Sequence, residues 1–158
     1  MIDNENLRLN VVKGLKKFLQ IPVIRGNQNA EPPKYPYLSY NVTTVTGENN
    51  GTYGEYSDGV DRKPVTQTWS ITVQSDDESE ALRLASKAHD WLDHIGRAYL
   101  SDNHIIVQSV TSVTSRDSIL TIEYEYKKGF DIVFWLYDEI ENPIEYVGEI
   151  KTAEITKK

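Results

Sequence analysis

The segment IEYEYKKGFDIVFWLY, residues 122–137, decides the fold, because it is the least hydrophilic stretch of the chain and yet carries several charges. Its apolar side chains recur at the even positions Phe130, Ile132, Phe134 and Leu136. This alternation is typical of a β-strand with one face on a core. The odd positions are acidic at first but become apolar at Val133, Trp135 and Tyr137. A strand that is apolar on both faces is either covered twice or contacts a partner.

Two arrangements of this segment are compatible with its pattern. A single long strand that bends or bulges at Gly129 keeps the even-position pattern in one register, and we favour it for that reason. A hairpin that turns at Lys127-Lys128-Gly129 is the alternative.

Composition limits the class of protein. A chain of 158 residues is long enough for one domain with a proper core. Its net charge of −7 argues against a dedicated nucleic-acid binder. It has no cysteine, which excludes disulfides and thiolate chemistry. The acidic start does not resemble a signal peptide, and no apolar run approaches the roughly 20 residues that span a bilayer. We expect an intracellularly assembled protein without a membrane segment.

The periodicity predicts two main helices. In residues 4–20 the apolar side chains fall at helical spacing around Val11 and Leu15, and Pro22 ends the helix. A second helix begins after a cap at Ser75 or Asp76. Gly96 is expected to end it in a left-handed conformation. Its apolar stripe consists of Ala81, Leu84, Ala85, Ala88, Trp91, Leu92 and Ile95.

Strands are predicted at residues 37–46, 65–74 and 104–113, in addition to the segment at 122–137. The predicted fold class is therefore α+β: a single domain with a mixed or antiparallel sheet of about four to five strands and two main helices packed on it. The domain is expected to span residues 1–140. Residues 47–63 form a long flexible loop. Residues 141–158 form a C-terminal arm or tail, either an extra edge strand or an arm that pairs with a neighbouring subunit.

Few residues suggest chemistry. His89 and Asp93, and likewise Asp90 and His94, are four apart on the second helix, a spacing that metal ligands use, but solvent-facing hydrogen bonds explain it better. Glu123 and Glu125 are interpreted as a solvated strand face rather than as an acid–base pair. No nucleophile signature or phosphate loop is present in the sequence. We expect no catalytic site, no metal site and no cofactor, and therefore not an enzyme.

Several features together resemble tail terminator (neck) proteins of long-tailed bacteriophages. They include Tyr35-Pro36-Tyr37 before a strand, Trp69 in an alternating strand and an alanine-rich helix that ends in Trp91. Arg116-Asp117 then precede Tyr124-Glu125-Tyr126-Lys127 and Gly129-Phe130-Asp131. The resemblance covers roughly residues 5–140, and none of these features is a catalytic motif.

The resemblance implies a structural virion protein that is assembled in the host cytoplasm. Such a protein would cap the tail tube as a ring, which the family resemblance implies to be six-membered, stop tube polymerisation and provide the head–tail joining surface. Its partners would be other copies of itself, the tail tube protein and a head-completion or connector protein. DNA would pass through an acidic lumen without specific binding.

The resemblance also suggests contact residues. Tyr53, Tyr56 and Asp58 are candidates for contact with the tube or an adjacent subunit, and Trp135 and Tyr137 for a position at or near a subunit contact. The alternative functions are a neck connector or tail-completion protein of the same particle, and a small α+β ligand-binding module or enzyme.

Overall fold

The structure is a computed structural model, and it describes residues 1–27, 29–47, 55–57, 59–119 and 124–141, with the backbone alone at 55–57. The helices are α1 (Asn4–Leu19), α2 (Glu78–Asp90) and α3 (Arg97–Asp102), with a π-helical turn at Trp91–Ile95 between the last two. The strands are β1 (Val23–Arg25), β2 (Tyr37–Thr44), β3 (Glu55–Ser57), β4 (Val60–Ser75), β5 (Ile106–Val110), β6 (Thr114–Ser115), β7 (Ser118–Ile119) and β8 (Tyr124–Glu141).

Five of these strands form the main sheet in the order β1-β2-β4-β8-β5. The β1–β2 pair is parallel and the other pairs are antiparallel, so the sheet is mixed. Short β3 pairs with β4, whereas β6 and β7 pair with β8. The predicted α+β class is confirmed, but the strand count exceeds the expected four to five because short strands were not recognised in the loops.

From Tyr124 onward the segment 122–137 lies within one continuous strand, β8, and the hairpin alternative is wrong. β8 pairs with β4 from Val60↔Glu141 to Ser75↔Tyr126 without a register shift. Gly129 lies opposite Thr72 in this ladder and marks no bulge in it. The strand is long because residues 126–141 each have a backbone partner on β4, which begins at residue 60 rather than 65, and its first two residues pair with β7. The expected loop at 47–63 is correspondingly shorter, since β3 and the start of β4 occupy part of it.

Both ends of the second predicted helix differ in detail from what the sequence predicts. Asp77, not Ser75 or Asp76, caps α2, because its side chain accepts a hydrogen bond from the Ser79 amide at 3.3 Å. Gly96 is not left-handed (φ −90°) and does not end the helical region, which continues through the π-helical turn into α3. This turn rotates Ile95 out of the predicted stripe, and its side chain is 56% exposed.

The core lies between the helices and one face of the sheet. Trp69 on β4 is a central side chain of this core; its ring stacks on Tyr40 with centroids 4.8 Å apart and lies edge-on to Phe134 at 5.3 Å. Its indole Nε1 donates to Gln67 Oε1 at 2.7 Å, which satisfies the one polar atom of the ring. The even positions of β8 are buried as predicted, at Phe130, Ile132, Phe134 and Leu136. Within the described residues, no helix has both the length and the apolarity that crossing a membrane requires.

Candidate assembly surfaces

The sheet has one face that the described helices do not cover, which we call the open face. On β4 this face carries Thr66, Thr68, Ser70 and Thr72, all partly exposed, between buried core residues. On β8 it carries Asp131, Val133 and Trp135, which are also partly exposed. The alternation of strand side chains places these residues opposite the core. A β-branched and aromatic surface on a one-sided sheet is a candidate for contact with another protein.

Trp135 and Tyr137 lie side by side near one end of the open face. Their ring centroids are 4.9 Å apart at an interplanar angle of 67°. Tyr137 is 49% exposed, and Trp135 is half-buried beside a shallow groove that Thr66, Thr68 and Val133 also line. Ile106, which pairs with Trp135 across β5 and β8, is a further exposed apolar residue there. The structure therefore brings together two of the five predicted contact residues on an accessible apolar patch.

The other predicted contact residues cannot be placed in the same way. Tyr53 and Asp58 lie outside the described residues, and Tyr56 is described only as a backbone position of β3, opposite Asp61 of β4. The C-terminal arm predicted at 141–158 is described only at Glu141, the last residue of β8.

At the other end of the open face, Arg116 forms a bridge between β4 and β8. The guanidinium of Arg116 donates to Ser70 Oγ at 2.7 Å and to Thr72 Oγ1 at 3.1 Å, and it pairs with Asp131 at 3.2 Å. A β-carbon at Gly129 would stand 2.3 Å from the Ile71 carbonyl oxygen and 3.0 Å from Arg116 Nη1. Glycine at 129 is therefore required for close approach of the arginine and the neighbouring strand, not for a bulge.

A lysine is buried beneath this bridge, on the core side of β8. Lys128 is 1% exposed, and its Nζ donates to Asp117 Oδ2 at 2.9 Å and to Ser115 Oγ at 2.7 Å, with Glu78 at 3.6 Å. Burial acts to lower the pKa of Lys128, but the hydrogen bonds and charges of Asp117 and Glu78 together outweigh it and leave that pKa raised. The same hydrogen bond from Lys128 holds the pKa of Asp117 below its usual range. Asp117 also accepts from the Lys127 amide at 2.9 Å, so one carboxylate ties the β6–β7 region to β8.

Sequence reasoning missed this network. Glu125, which was expected on a solvated face, is 7% exposed and lies near Ser118 and Lys127, with oxygen-to-partner distances of 3.4 and 3.5 Å. Its predicted companion Glu123 lies outside the described residues. The available signal was the pair Arg116-Asp117 ahead of a strand containing Lys128 and Asp131, but opposite charges far apart in sequence do not identify their partners.

The histidine pairs proposed on the second helix do not form. His89 packs its ring against the edge of Phe130 at 5.2 Å, and Asp93 pairs with Arg97 at 3.5 Å. His89 and Asp93 thus have other partners in place of the hydrogen bond expected between them. Over the described ranges, no three His, Asp or Glu side chains gather as a metal site would require.

Comparison with known proteins identifies the family. The family model for phage neck terminator proteins matches residues 9–158, which is nearly the whole chain. No curated protein matches this chain. One solved chain, without a functional name, is 13% identical, with 85% of this chain and 96% of that chain covered at a TM-score of 0.45.

A second solved chain comes from the virion of a native gene transfer agent (GTA) particle. It is 16% identical, with 88% of this chain and 92% of that chain covered at a TM-score of 0.34. Both structures are too distant to support a conclusion about fold or function. The family match stands by itself over nearly the full length, and the chain belongs to the phage neck terminator proteins, a family of phage tail terminators that are structural components of the virion.

Proposed function

We propose that this chain is the tail terminator of its particle: a ring of identical subunits that caps the tail tube, stops its polymerisation and offers the surface to which the head joins. The family match over residues 9–158 carries this proposal. A role of this kind requires contact surfaces rather than a reactive centre. We therefore propose a structural protein without catalytic activity, assembled in the host cytoplasm and retained in the neck of the virion.

The one-sided sheet supports the ring. A closed ring of identical subunits uses heterologous contacts, in which two different surfaces of each copy meet. The open face and the helical layer are two such different surfaces on opposite sides of the sheet. We propose that Trp135 and Tyr137 on the open face lie at a subunit contact, since aromatic residues are enriched where proteins meet. Six copies are expected from the family resemblance.

The position of β3 at the edge of the sheet supports the proposal of a contact with the tube or an adjacent copy. β3 extends β4 and the end of β8 as a three-stranded ribbon, with Glu55↔Arg62 and Arg62↔Glu139 in register. Arg62 and Glu139 form an ion pair at 2.8 Å across it. Tyr53, Tyr56 and Asp58 belong to or flank this ribbon in sequence, and we propose them as contacts to the tube protein or a neighbour.

The experiment that tests the function is the measurement of tail length by electron microscopy in lysates of a phage whose gene for this chain is interrupted. We expect overlong tubes detached from filled heads, because nothing stops tube growth. Tubes of normal length that lack heads would instead indicate a connector or completion protein of the same neck. Normal tails joined to heads would refute a neck role. Restoration by the intact gene in trans is the control.

A further inference from the structure

An apolar groove with a basic rim lies on the helical side of the molecule, away from the open face. It runs between the second half of α1 and the π-helical turn, and its volume is about 560 Å³. Its apolar walls are Phe18, Trp91, Ile95 and Tyr99, and Lys13 and Lys17 stand at its rim. Ile95 is 56% exposed and Tyr99 37% exposed, so apolar surface is open to solvent here.

The charge at the groove is opposite to that of the whole chain. Lys13 and Lys17 are exposed on neighbouring turns of α1, and Lys87 from α2 lies over the Phe18 ring at 5.9 Å. Within the described part of the chain, neither Lys13 nor Lys17 forms an ion pair with an acidic side chain. In a protein of net charge −7, an apolar groove bordered by lysines selects an apolar and acidic occupant.

A segment of this chain outside the described residues has that chemistry. Residues 142–150, NPIEYVGEI, carry four large apolar side chains (Ile144, Tyr146, Val147 and Ile150), two glutamates and no basic residue. The family match includes this segment, since it continues to residue 158.

The direction of β8 determines which copy can supply the segment. The amino group of Met1, ahead of α1, lies 3.0 Å from Asp138 near the end of β8. The other end of α1 leads into Val23, which is in register with Leu38, Val73 and Lys128 across the sheet. α1 therefore runs antiparallel to β8. The second half of α1, which lines the groove, therefore lies toward the start of β8, whereas residue 142 follows the end of β8.

We infer that residues 142–150 of one subunit bind in the α1 groove of the adjacent subunit in the ring. To reach the groove of its own chain, the segment would have to reverse and run back along much of α1, which is about 24 Å long at 1.5 Å per residue. In a head-to-tail ring, by contrast, a different surface of the next copy lies ahead of each subunit. Nine extended residues span about 30 Å, so length permits either source, and the reversal of direction is what favours the adjacent copy. The inference rests on the proposed ring and names one contact within it.

Single-cysteine variants test this contact, because the chain has no cysteine of its own. Ile95→Cys places a thiol at the exposed wall of the groove, and Val147→Cys places one in the segment. Tails assembled from a mixture of the two variants are oxidised and separated without reductant, and we expect a disulfide-linked dimer. Leu82→Cys, at a residue 44% exposed on α2 outside the groove lining, replaces Ile95→Cys in the matched control.

The double variant Ile95→Cys/Val147→Cys separates the two sources of the segment. Exchange between neighbours gives a ladder of linked multimers, whereas binding within one chain gives only a cross-linked monomer and overturns the inference. Equal dimer yield from the Leu82→Cys control also overturns it, since the link would then reflect random collision. Ile150→Cys supplies a second position if tails with Val147→Cys do not assemble.

A charge variant provides an independent measurement. Lys13→Glu with Lys17→Glu is expected to reduce the dimer yield several-fold, while the charge-matched control Lys34→Glu with Arg83→Glu leaves it unchanged. An unchanged yield in the groove variant contradicts the role of the lysines. Failure of the inference is distinguishable from failure of the proposed function. If interruption of the gene gives overlong tails but the cysteine variants give no link between residues 95 and 147, only this contact is rejected. If interruption of the gene gives normal tails joined to heads, the terminator function itself is rejected.

Discussion

Replacing Gly14 by alanine should destabilise this protein, although the same change in most helices is stabilising. Gly14 lies in the interior of α1 and faces the indole ring of Trp91. A β-carbon at this position would stand 2.2 Å from Trp91 Cη2 and 2.4 Å from Cζ2. Favourable carbon–carbon contacts are at about 3.5–4.0 Å, so the ring or the helix has to move by more than 1 Å.

Two opposing free energies decide the result. Alanine in place of glycine in a helix interior contributes about 1 kcal/mol of stability. Overpacking a well-packed site costs about 1–3 kcal/mol. The upper end applies here, because Trp91 is buried and Gly96 leaves equally little room beside the same ring: a β-carbon there would stand 2.4 Å from Trp91 Cε2. The expected net loss is about 2 kcal/mol, which corresponds to a fall in Tm of about 4–8 °C for a domain of this size.

Urea and thermal unfolding followed by circular dichroism measure this difference, at one protein concentration for all variants. The matched background is Trp91→Leu, in which the clash is relieved. There, Gly14→Ala should raise the free energy of unfolding by about 1 kcal/mol relative to Trp91→Leu alone. A stabilising effect of Gly14→Ala in the native background, or an equal loss in both backgrounds, would refute the steric argument.

Four further outcomes follow from the site geometry. Lys128→Ala should lower the free energy of unfolding in urea by about 3–5 kcal/mol, because it leaves Asp117 without its partner, and a loss below 1 kcal/mol would contradict this. Asp117→Asn should have a lower free energy of unfolding than the native chain at pH 7, and this difference should become smaller below about pH 4. The reason is that a carboxylate with a lowered pKa loses its stabilising contribution as the pH falls through that pKa. A difference in urea titrations that stays constant from pH 7 to pH 2.5 would argue against this. Trp135→Ser with Tyr137→Ser should leave most of the helical circular dichroism in place but reduce ring assembly, as measured by light scattering, and unchanged assembly would exclude this patch. Shortening residues 48–54 should leave Tm within a few degrees but abolish tail joining in complementation, and joined particles would show that the segment has no such role.

Periodicity predicted those parts of the fold in which one face of an element is buried. The alternation on β8 from Phe130 to Leu136 and on β4 from Val65 to Val73 identified the core side of both central strands. Burial of one face enforces a period of two residues, and this regularity is visible in the sequence without knowledge of the partner strand. Two of the contact candidates, Trp135 and Tyr137, followed from the same parity.

Features that depend on distant partners were not predictable in this way. Glu125 alternates like a surface residue, but it is buried, and Tyr37, Ser118 and Lys127 lie close to its carboxylate. Lys128 fits a turn by its sequence context, and its burial is explained by Asp117, Ser115 and Glu78, which lie around its ammonium group. The π-helical turn at 91–95 was missed because a single extra residue per turn leaves the apolar spacing of α2 unaltered up to Trp91 and displaces only Ile95.

The two halves of β8 are stabilised by different interactions, and this difference connects the sequence to the proposed assembly. Near its start the strand is fixed within its own subunit, by Asp117 on Lys128 and by Arg116 on Asp131. Toward its end an apolar stretch lies on the open face before the Arg62–Glu139 ion pair, and Val133, Trp135 and Tyr137 are at least partly exposed there. Internal ion pairs need no neighbour, whereas apolar surface is stabilised when it is removed from water. The first half of β8 can therefore hold the fold without a neighbour, and in the proposed ring we expect the apolar second half to gain the most stability from contact with another subunit.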